Sequence, residues 1–296
     1  MGRAIAEAFP RARETFAEID EALGQSLSRL MFEGPADDLM LTANAQPALM
    51  AVSLAIVRVL EQGGLEMKRD VAFVAGHSLG EYSALAAAQA LDLADTARLL
   101  RRRGLAMQRA TPVGQGAMAA ILGLDLDVAR DITAAAAQGE VCAAANDNGP
   151  GQVVVSGDRA AVERAVALAT ARGARRAIML AVSAPFHCAL MAPAAREMEE
   201  ALADIRIAPP VVPLVANVTA MPISAPETIK ALLVAQVTGL VRWRESILKM
   251  RREGVDSQIE IGAGKVLTGL AKRIDRGLAA SAIGTPAEID AFLGAA

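Results

Sequence analysis

Five residues constrain this chain more than any others: Gly76-His77-Ser78-Leu79-Gly80, set between the short apolar run Val71 to Ala75 and the helix-forming segment Glu81 to Gln89. A strand that ends in Gly-x-Ser-x-Gly and gives way at once to a helix must turn sharply. Glycines two residues either side of the serine leave room for that turn. The expected product is a serine hydroxyl raised above a sheet. The free N–H groups and positive end of the following helix then aim at any negative charge that forms beside it. Such a turn belongs to layered strands and helices, so the chain is expected to be an α/β protein. Alone, the pentapeptide also reads as a glycine-flanked turn with an incidental serine; the strand before it and the helix after it favour a nucleophile.

The 296 residues are 53% hydrophobic but only 3% aromatic. That supplies a sizeable core made of small side chains, which let helices pack close on a sheet. The length suits one large domain, or a main domain carrying a smaller one. A net charge of -3 argues against a general nucleic-acid binder, whose affinity needs a basic excess. Two cysteines, Cys142 and Cys188, cannot build a disulfide framework, and the charged N-terminal stretch lacks the apolar centre of a secretory leader. No run reaches the roughly 18 apolar residues of a membrane span. A soluble, cytoplasmic protein with no membrane or nucleic-acid partner is expected. Two Cys and two His show no metal-ligand spacing, so no metal is expected. Gly264-Lys265 resembles the end of a phosphate-binding loop, but Ile259 stands where its first glycine should be.

Apolar residues recur at helical spacing from Ala4 to Leu30, with Gly24 as a break, and residues 45–62 are apolar nearly all round, the mark of a buried helix. A helix over 93–110 carries Arg98, Arg101, Arg102 and Arg103, which by themselves read as a solvated face. Residues 112–183 have their own rhythm. A strand (116–124), a helix (126–137), two strands around the turn Asn148-Gly149-Pro150-Gly151, a second helix (159–173) and a last strand (175–183) follow in order. That β-α-β-β-α-β order is ferredoxin-like, and it divides the chain into a main domain (1–111 and 184–296) and an inserted subdomain (112–183). The tail returns to α/β, with strands at 210–218 and 255–262 and helices at 226–238, 243–253 and 265–276.

A serine hydroxyl needs a base to become a nucleophile, and only two imidazoles are on offer. His77 abuts Ser78, where adjacent side chains diverge. That leaves His187, although a lone histidine after a proline is more often packed or solvated than catalytic.

Five segments, GHSLGEYSALAAA, RRRGLAMQRA, NDNGPGQVVVSG, SAPFHCALM and IGAGKVLTGLAKRI, resemble in order the blocks of the malonyl-CoA:acyl carrier protein transacylase family. The likeness runs from about residue 4 to the C-terminus. It implies an α/β-hydrolase-like core with a parallel sheet and a ferredoxin-like insert. It also implies ping-pong chemistry: Ser78 takes malonyl from malonyl-CoA with His187 as base, and the phosphopantetheine thiol of acyl carrier protein collects it. No cofactor beyond these substrates is implied, and a monomer is expected. The family's arginine precedes a glycine in R-G-x-x-M-Q, which maps onto Arg103. A planar guanidinium fork suits a free carboxylate. Gln236, through its side chain or its backbone carbonyl, is expected to orient His187. Phe186 is expected to narrow the pocket floor against methylmalonyl, and Leu79 to offer one N–H of the oxyanion hole. The family's second donor comes from a Gly-Gln-Gly loop after an opening strand. Met1-Gly2 stands where the family enters its first helix, so that strand and donor are expected to be missing. An acidic carrier would be steered by a basic surface, for which Lys249, Arg251, Arg252, Lys265, Lys272 and Arg273 are candidates. Two rivals stand beside this reading. A serine esterase or thioesterase would orient its histidine with Asp or Glu and have no use for a buried arginine. A non-catalytic relative would only bind the carrier.

Overall fold

Thr42–Gln62 forms a helix buried along most of its length, as its all-round apolar sequence requires. By length and composition it could cross a membrane, unlike the expectation above, but 78% of its most apolar stretch lies inside the protein. The computed structural model describes residues 1–295. Helices Pro10–Leu23 and Leu93–Arg109 lie against this central helix and build the main core with it, through Phe16, Ile19, Leu54, Ile56, Leu99 and Leu100.

The strands, in chain order, are β1 (Val74–Ala75), β2 (Gly116–Leu122), β3 (Cys142–Gly149), β4 (Gln152–Asp158), β5 (Arg176–Met179), β6 (Leu214–Val215), β7 (Pro222–Ile223), β8 (Ser257–Ile261) and β9 (Ala279–Ile283). They form three sheets, ordered β1-β6-β7, β3-β4-β2-β5 and β8-β9. β1 runs parallel to β6, and β8 parallel to β9, while β7 returns antiparallel to β6. The strands expected over 71–75 and 210–218 shrink to two residues each. Only Val74 and Ala75 find ladder partners in β6. Pro213 lends its carbonyl to the Val74 N–H at 3.0 Å but has no N–H to give back. Among the described residues, β1 and β8 each keep one unpaired edge.

The order β3-β4-β2-β5, antiparallel throughout, is the ferredoxin-like arrangement. Alternation along the strands gives it two different faces. Ala117, Ala119, Ile121 and Val155 meet Ile132 and Val162 of helices Leu126–Ala137 and Arg159–Ala171. Met118 and Val154 point the other way, with Ala145, and meet Phe186. The insert thus turns its bare face toward the residue next to His187.

Among the elements not anticipated are the short helices Ala36–Met40 and Met67–Asp70, the 3-10 turn Ala189–Met191, helices Ala192–Ala203 and Pro286–Ala295, and strands β7 and β9. β9 reads Ala-Ala-Ser-Ala-Ile, and alanine carries almost no periodic signal.

One close approach sets the geometry of the site. A Cβ on Gly104 would lie 2.5 Å from Ala43 Cα and 2.6 Å from the Thr42 carbonyl oxygen. Around it, Arg101 donates to the Ala43 carbonyl (3.2 Å) and to the Asn44 side chain, and Gln108 Oε1 accepts the Ala43 N–H at 3.0 Å. One helix therefore satisfies backbone groups that the other leaves orphaned at its first turn. Gly104→Ala should force the pair apart, at the about 1–3 kcal/mol typical of overpacking. Each kcal/mol should lower Tm by about 2–4 °C in a chain of this size. An unchanged thermal melt would show that the helices do not depend on this contact.

Candidate active site

Ser78 sits between β1 and helix Gly80–Ala87 with φ 52, a left-handed conformation for a residue with a side chain. Such strain costs about 1–3 kcal/mol and persists only where the surroundings enforce it. Here Asn217 enforces it, from the turn that follows β6. Its Oδ1 accepts the Ser78 N–H at 2.8 Å, and its Nδ2 donates to the Gly76 carbonyl at 2.7 Å. A Cβ on Gly76 would fall 1.9 Å from the Gly80 carbonyl oxygen, whereas one on Gly80 would meet nothing within 4 Å. Only the first glycine is sterically forced, which corrects the expectation that both are.

His187 lies in the segment between β5 and the short 3-10 turn Ala189–Met191. Its Nε2 is 2.8 Å from Ser78 Oγ, and its Nδ1 is 2.8 Å from the backbone carbonyl oxygen of Gln236, in helix Pro226–Thr238. A carbonyl only accepts, so Nδ1 carries the proton and Nε2 faces the serine hydroxyl with its lone pair. Burial, and then the positive charge of Arg103, push the imidazole pKa down to about 3. The ring is neutral at physiological pH.

Arg103 is 1% exposed. Its Nη1 donates to Gln46 Oε1 at 2.7 Å, and its Nη2 to Gln236 Oε1 at 2.7 Å and to Ser78 Oγ at 3.1 Å. The guanidinium carbon lies 5.7 Å from the centroid of the Tyr82 ring. Its Nε is buried without a partner, and the Tyr82 hydroxyl is likewise unpaired. Burial pushes that hydroxyl up to about 12. Every hydrogen-bond acceptor on the guanidinium is neutral.

Gln236 therefore works at two levels. Its backbone carbonyl faces His187, while its side-chain Nε2 donates to the Ser78 carbonyl (2.9 Å) and to Glu81 Oε2 (2.5 Å). Glu81, 1% exposed, also accepts the Asn217 N–H at 3.3 Å. Burial raises its pKa to about 7, against the lowering pull of Gln236, Asn217 and Arg103. The Leu79 N–H, at the start of helix Gly80–Ala87, enters no hydrogen bond among the described residues.

Sequence reasoning named Ser78, His187, Arg103, Gln236 and Leu79, and the structure gathers all five at one point. It did not name Asn217, Glu81 or Gln46. Gln46 left a signal, as a polar residue in a helix apolar all round. Asn217 left a fainter one, at the C-terminal end of a parallel strand where α/β sites gather. His77 turns away from Ser78; its Nε2 is 2.8 Å from Asn148 Oδ1 and its ring 5.7 Å from Trp243, tying the elbow to the insert. Phe186 is half-buried against Met118, Ala145 and Val154. Of the basic candidates, Lys249, Arg251 and Lys265 are held by Glu253, Asp275 and Glu288, while Arg252, Lys272 and Arg273 are exposed. Among the described residues no group of three His, Cys, Asp or Glu could hold a metal ion.

The model of the acyl transferase domain matches residues 1–283. The chain belongs to that family. Among its relatives, the malonyl CoA-acyl carrier protein transacylase of Escherichia coli strain K12 is 46% identical over 289 residues, covering 98% of this chain and 93% of that protein. Its counterpart from Bacillus subtilis strain 168 is 45% identical over 291 residues, covering 98% and 90%. The crystal structure of acyl-carrier-protein-S-malonyltransferase from Bartonella henselae matches with a TM-score of 0.97 at 56% identity, covering 100% of this chain and 94% of that one. A type II polyketide synthase acyl carrier protein in complex with its malonyl-transacylase gives 0.97 at 42% identity, covering 100% and 95%.

In this acyl transferase, Glu81 and His187 bias stability in opposite directions. Glu81 binds its proton more tightly when folded, so its contribution is lost as pH rises from about 4.5 to about 7. His187 binds its proton less tightly when folded, so its contribution is lost as pH falls from about 6.5 to about 3. Between about pH 4.5 and 6.5 the two oppose each other. Glu81→Gln removes only the first, so the variant should keep gaining stability up to about pH 6.5 where the parent levels off. Urea midpoints across this range test it, and identical profiles for the two proteins would contradict it.

Proposed function

We propose that this acyl transferase carries malonyl from malonyl-CoA to the phosphopantetheine thiol of an acyl carrier protein, through a malonyl ester on Ser78. The observation that carries the reading is Arg103, a buried guanidinium with only neutral acceptors, 3.1 Å from the serine oxygen. A carboxylate on the acyl group would supply the counter-charge it lacks.

Ser78 Oγ attacks the thioester carbonyl while His187 Nε2 takes the hydroxyl proton. The C–S bond breaks, and the proton passes to the sulfur of coenzyme A. In the second half, the carrier thiol gives its proton to His187 and attacks the ester, and Ser78 Oγ recovers the proton. The Leu79 N–H and the positive end of its helix stabilise the tetrahedral oxyanion. A pKa of about 3 makes His187 a weak base in the free protein, and Arg103 is one of its causes. A malonyl carboxylate paired with Arg103 would cancel that charge, so the base strengthens when the right substrate is in place. Phe186 narrows the pocket beside His187 and favours malonyl over methylmalonyl. Arg252, Lys272 and Arg273 offer free positive charge to an acidic carrier.

An esterase reading is disfavoured because the His187 ring is oriented by a carbonyl, not a carboxylate. Incubation with malonyl-CoA followed by intact mass should show one malonyl adduct, absent in Ser78→Ala. His187→Ala should slow its formation by about 10²–10⁴. An adduct that persists in Ser78→Ala, or parent adduct that passes to water as fast as to carrier thiol, would overturn the reading.

A further inference from the structure

Among the described residues two acids are almost wholly buried, Glu81 and Asp147, each 1% exposed. Asp147 has Arg244 against it at 2.9 Å. Glu81 has no cation within ion-pair distance; its partners are the Gln236 amide and the Asn217 backbone. A buried carboxylate without a direct counter-charge is costly, and a neutral residue of the same size would pack more cheaply. Packing alone therefore gives no reason for an acid at this position.

What a carboxylate supplies is acceptance without ambiguity. Glu81 Oε2 takes the Gln236 Nε2–H at 2.5 Å, which leaves Gln236 Oε1 facing Arg103 Nη2 at 2.7 Å. The row has one polarity: guanidinium to amide oxygen, then amide nitrogen to carboxylate. Both Glu81 oxygens accept, one from Gln236 and one from the Asn217 N–H. Above its pKa of about 7 the ionised carboxylate can only accept, whereas an amide can donate or accept. The Gln236 NH₂ has two acceptors, Glu81 and the Ser78 carbonyl at 2.9 Å. With an amide at 81 only the second is left to resist a turn that would set the NH₂ against the guanidinium, donor against donor. Arg103 would then leave its place 3.1 Å from Ser78 Oγ.

We infer that Glu81 is a positioning residue for substrate choice, which fixes the sense of the Gln236 amide and so holds Arg103 where an acyl carboxylate can meet it. This rests on the reading of Arg103 given above. His187 is served by the Gln236 backbone carbonyl and not by its amide, so the base keeps its partner when the amide turns. Asn217 still holds the Ser78 N–H even though the Ser78 carbonyl loses the amide as donor. Loss at Glu81 should therefore separate acyl groups with a carboxylate from those without one.

The test measures acylation of Ser78 by malonyl-CoA and by acetyl-CoA across concentration, for the parent and Glu81→Gln, with thermal melts alongside. In Glu81→Gln, KM for malonyl-CoA should rise about tenfold or more with kcat little changed. Acetyl-CoA should change by less than about threefold. Glu81→Met, similar in size and unable to hold the amide, carries the same comparison if Glu81→Gln does not fold. Equal losses for both thioesters, tracking a lower Tm, would make Glu81 merely structural and overturn the inference, as would no change for either. If the parent itself shows no preference for malonyl-CoA, it is the reading of Arg103 that fails, and the parent control separates that failure from this one.

Discussion

Taking a guanidinium out of water costs more than neutral partners return, so a chain that buries one must arrange much else around it. Arg103 is such a group. Gln46 and Gln236 each accept one of its N–H bonds, the Tyr82 ring lies beside it, and the hydroxyl oxygen of Ser78 takes a third contact. The helix that carries it reaches this position because Gly104 lets it press onto Ala43 and Thr42 of the central helix. The nearest acid, Glu81, stands one residue away, behind Gln236, and makes no ion pair with it. A positive charge whose direct partners are all neutral, with a serine hydroxyl beside it, suits an anionic group.

The same charge conditions the Ser78–His187 pair. His187 stays neutral because it is buried and because Arg103 is near, and its tautomer is set by the Gln236 carbonyl. Ser78 is held in a strained turn by Asn217, which bonds the backbone on both sides of the elbow. Gln236 thus touches the base through its backbone and the arginine through its side chain, and it also braces the Ser78 carbonyl. Few residues link so many partners, and the site draws together six separated segments of the chain, those of Gln46, Ser78, Arg103, His187, Asn217 and Gln236.

Ser78 was legible because its signal is local: a strand, a tight turn and a helix within about twenty residues. His187 followed from scarcity, since the only other imidazole lies next to the serine. The ferredoxin-like unit was legible because its strand and helix segments follow in order around the turn Asn148-Gly149-Pro150-Gly151, with helices at Leu126–Ala137 and Arg159–Ala171. Arg103 was different. In sequence, Arg98, Arg101, Arg102 and Arg103 look alike, and only the family pattern picked out the one that turns inward. Glu81 and Asn217 act through partners more than 130 residues away, and a backbone carbonyl such as that of Gln236 has no side-chain signature at all. The short strands β1 and β6 fell below expectation because ladder pairing, not apolarity, sets strand length.

The central claim is that Arg103 exists to hold the carboxylate of the acyl group. Arg103→Ala measures it directly, by comparing acylation of Ser78 from malonyl-CoA and from acetyl-CoA. Malonyl-CoA should lose about 2–5 kcal/mol, the scale of breaking a buried charge pair. Acetyl-CoA, with no carboxylate to hold, should lose far less or gain relative to it. Equal losses for the two thioesters would contradict the account and leave Arg103 a structural residue.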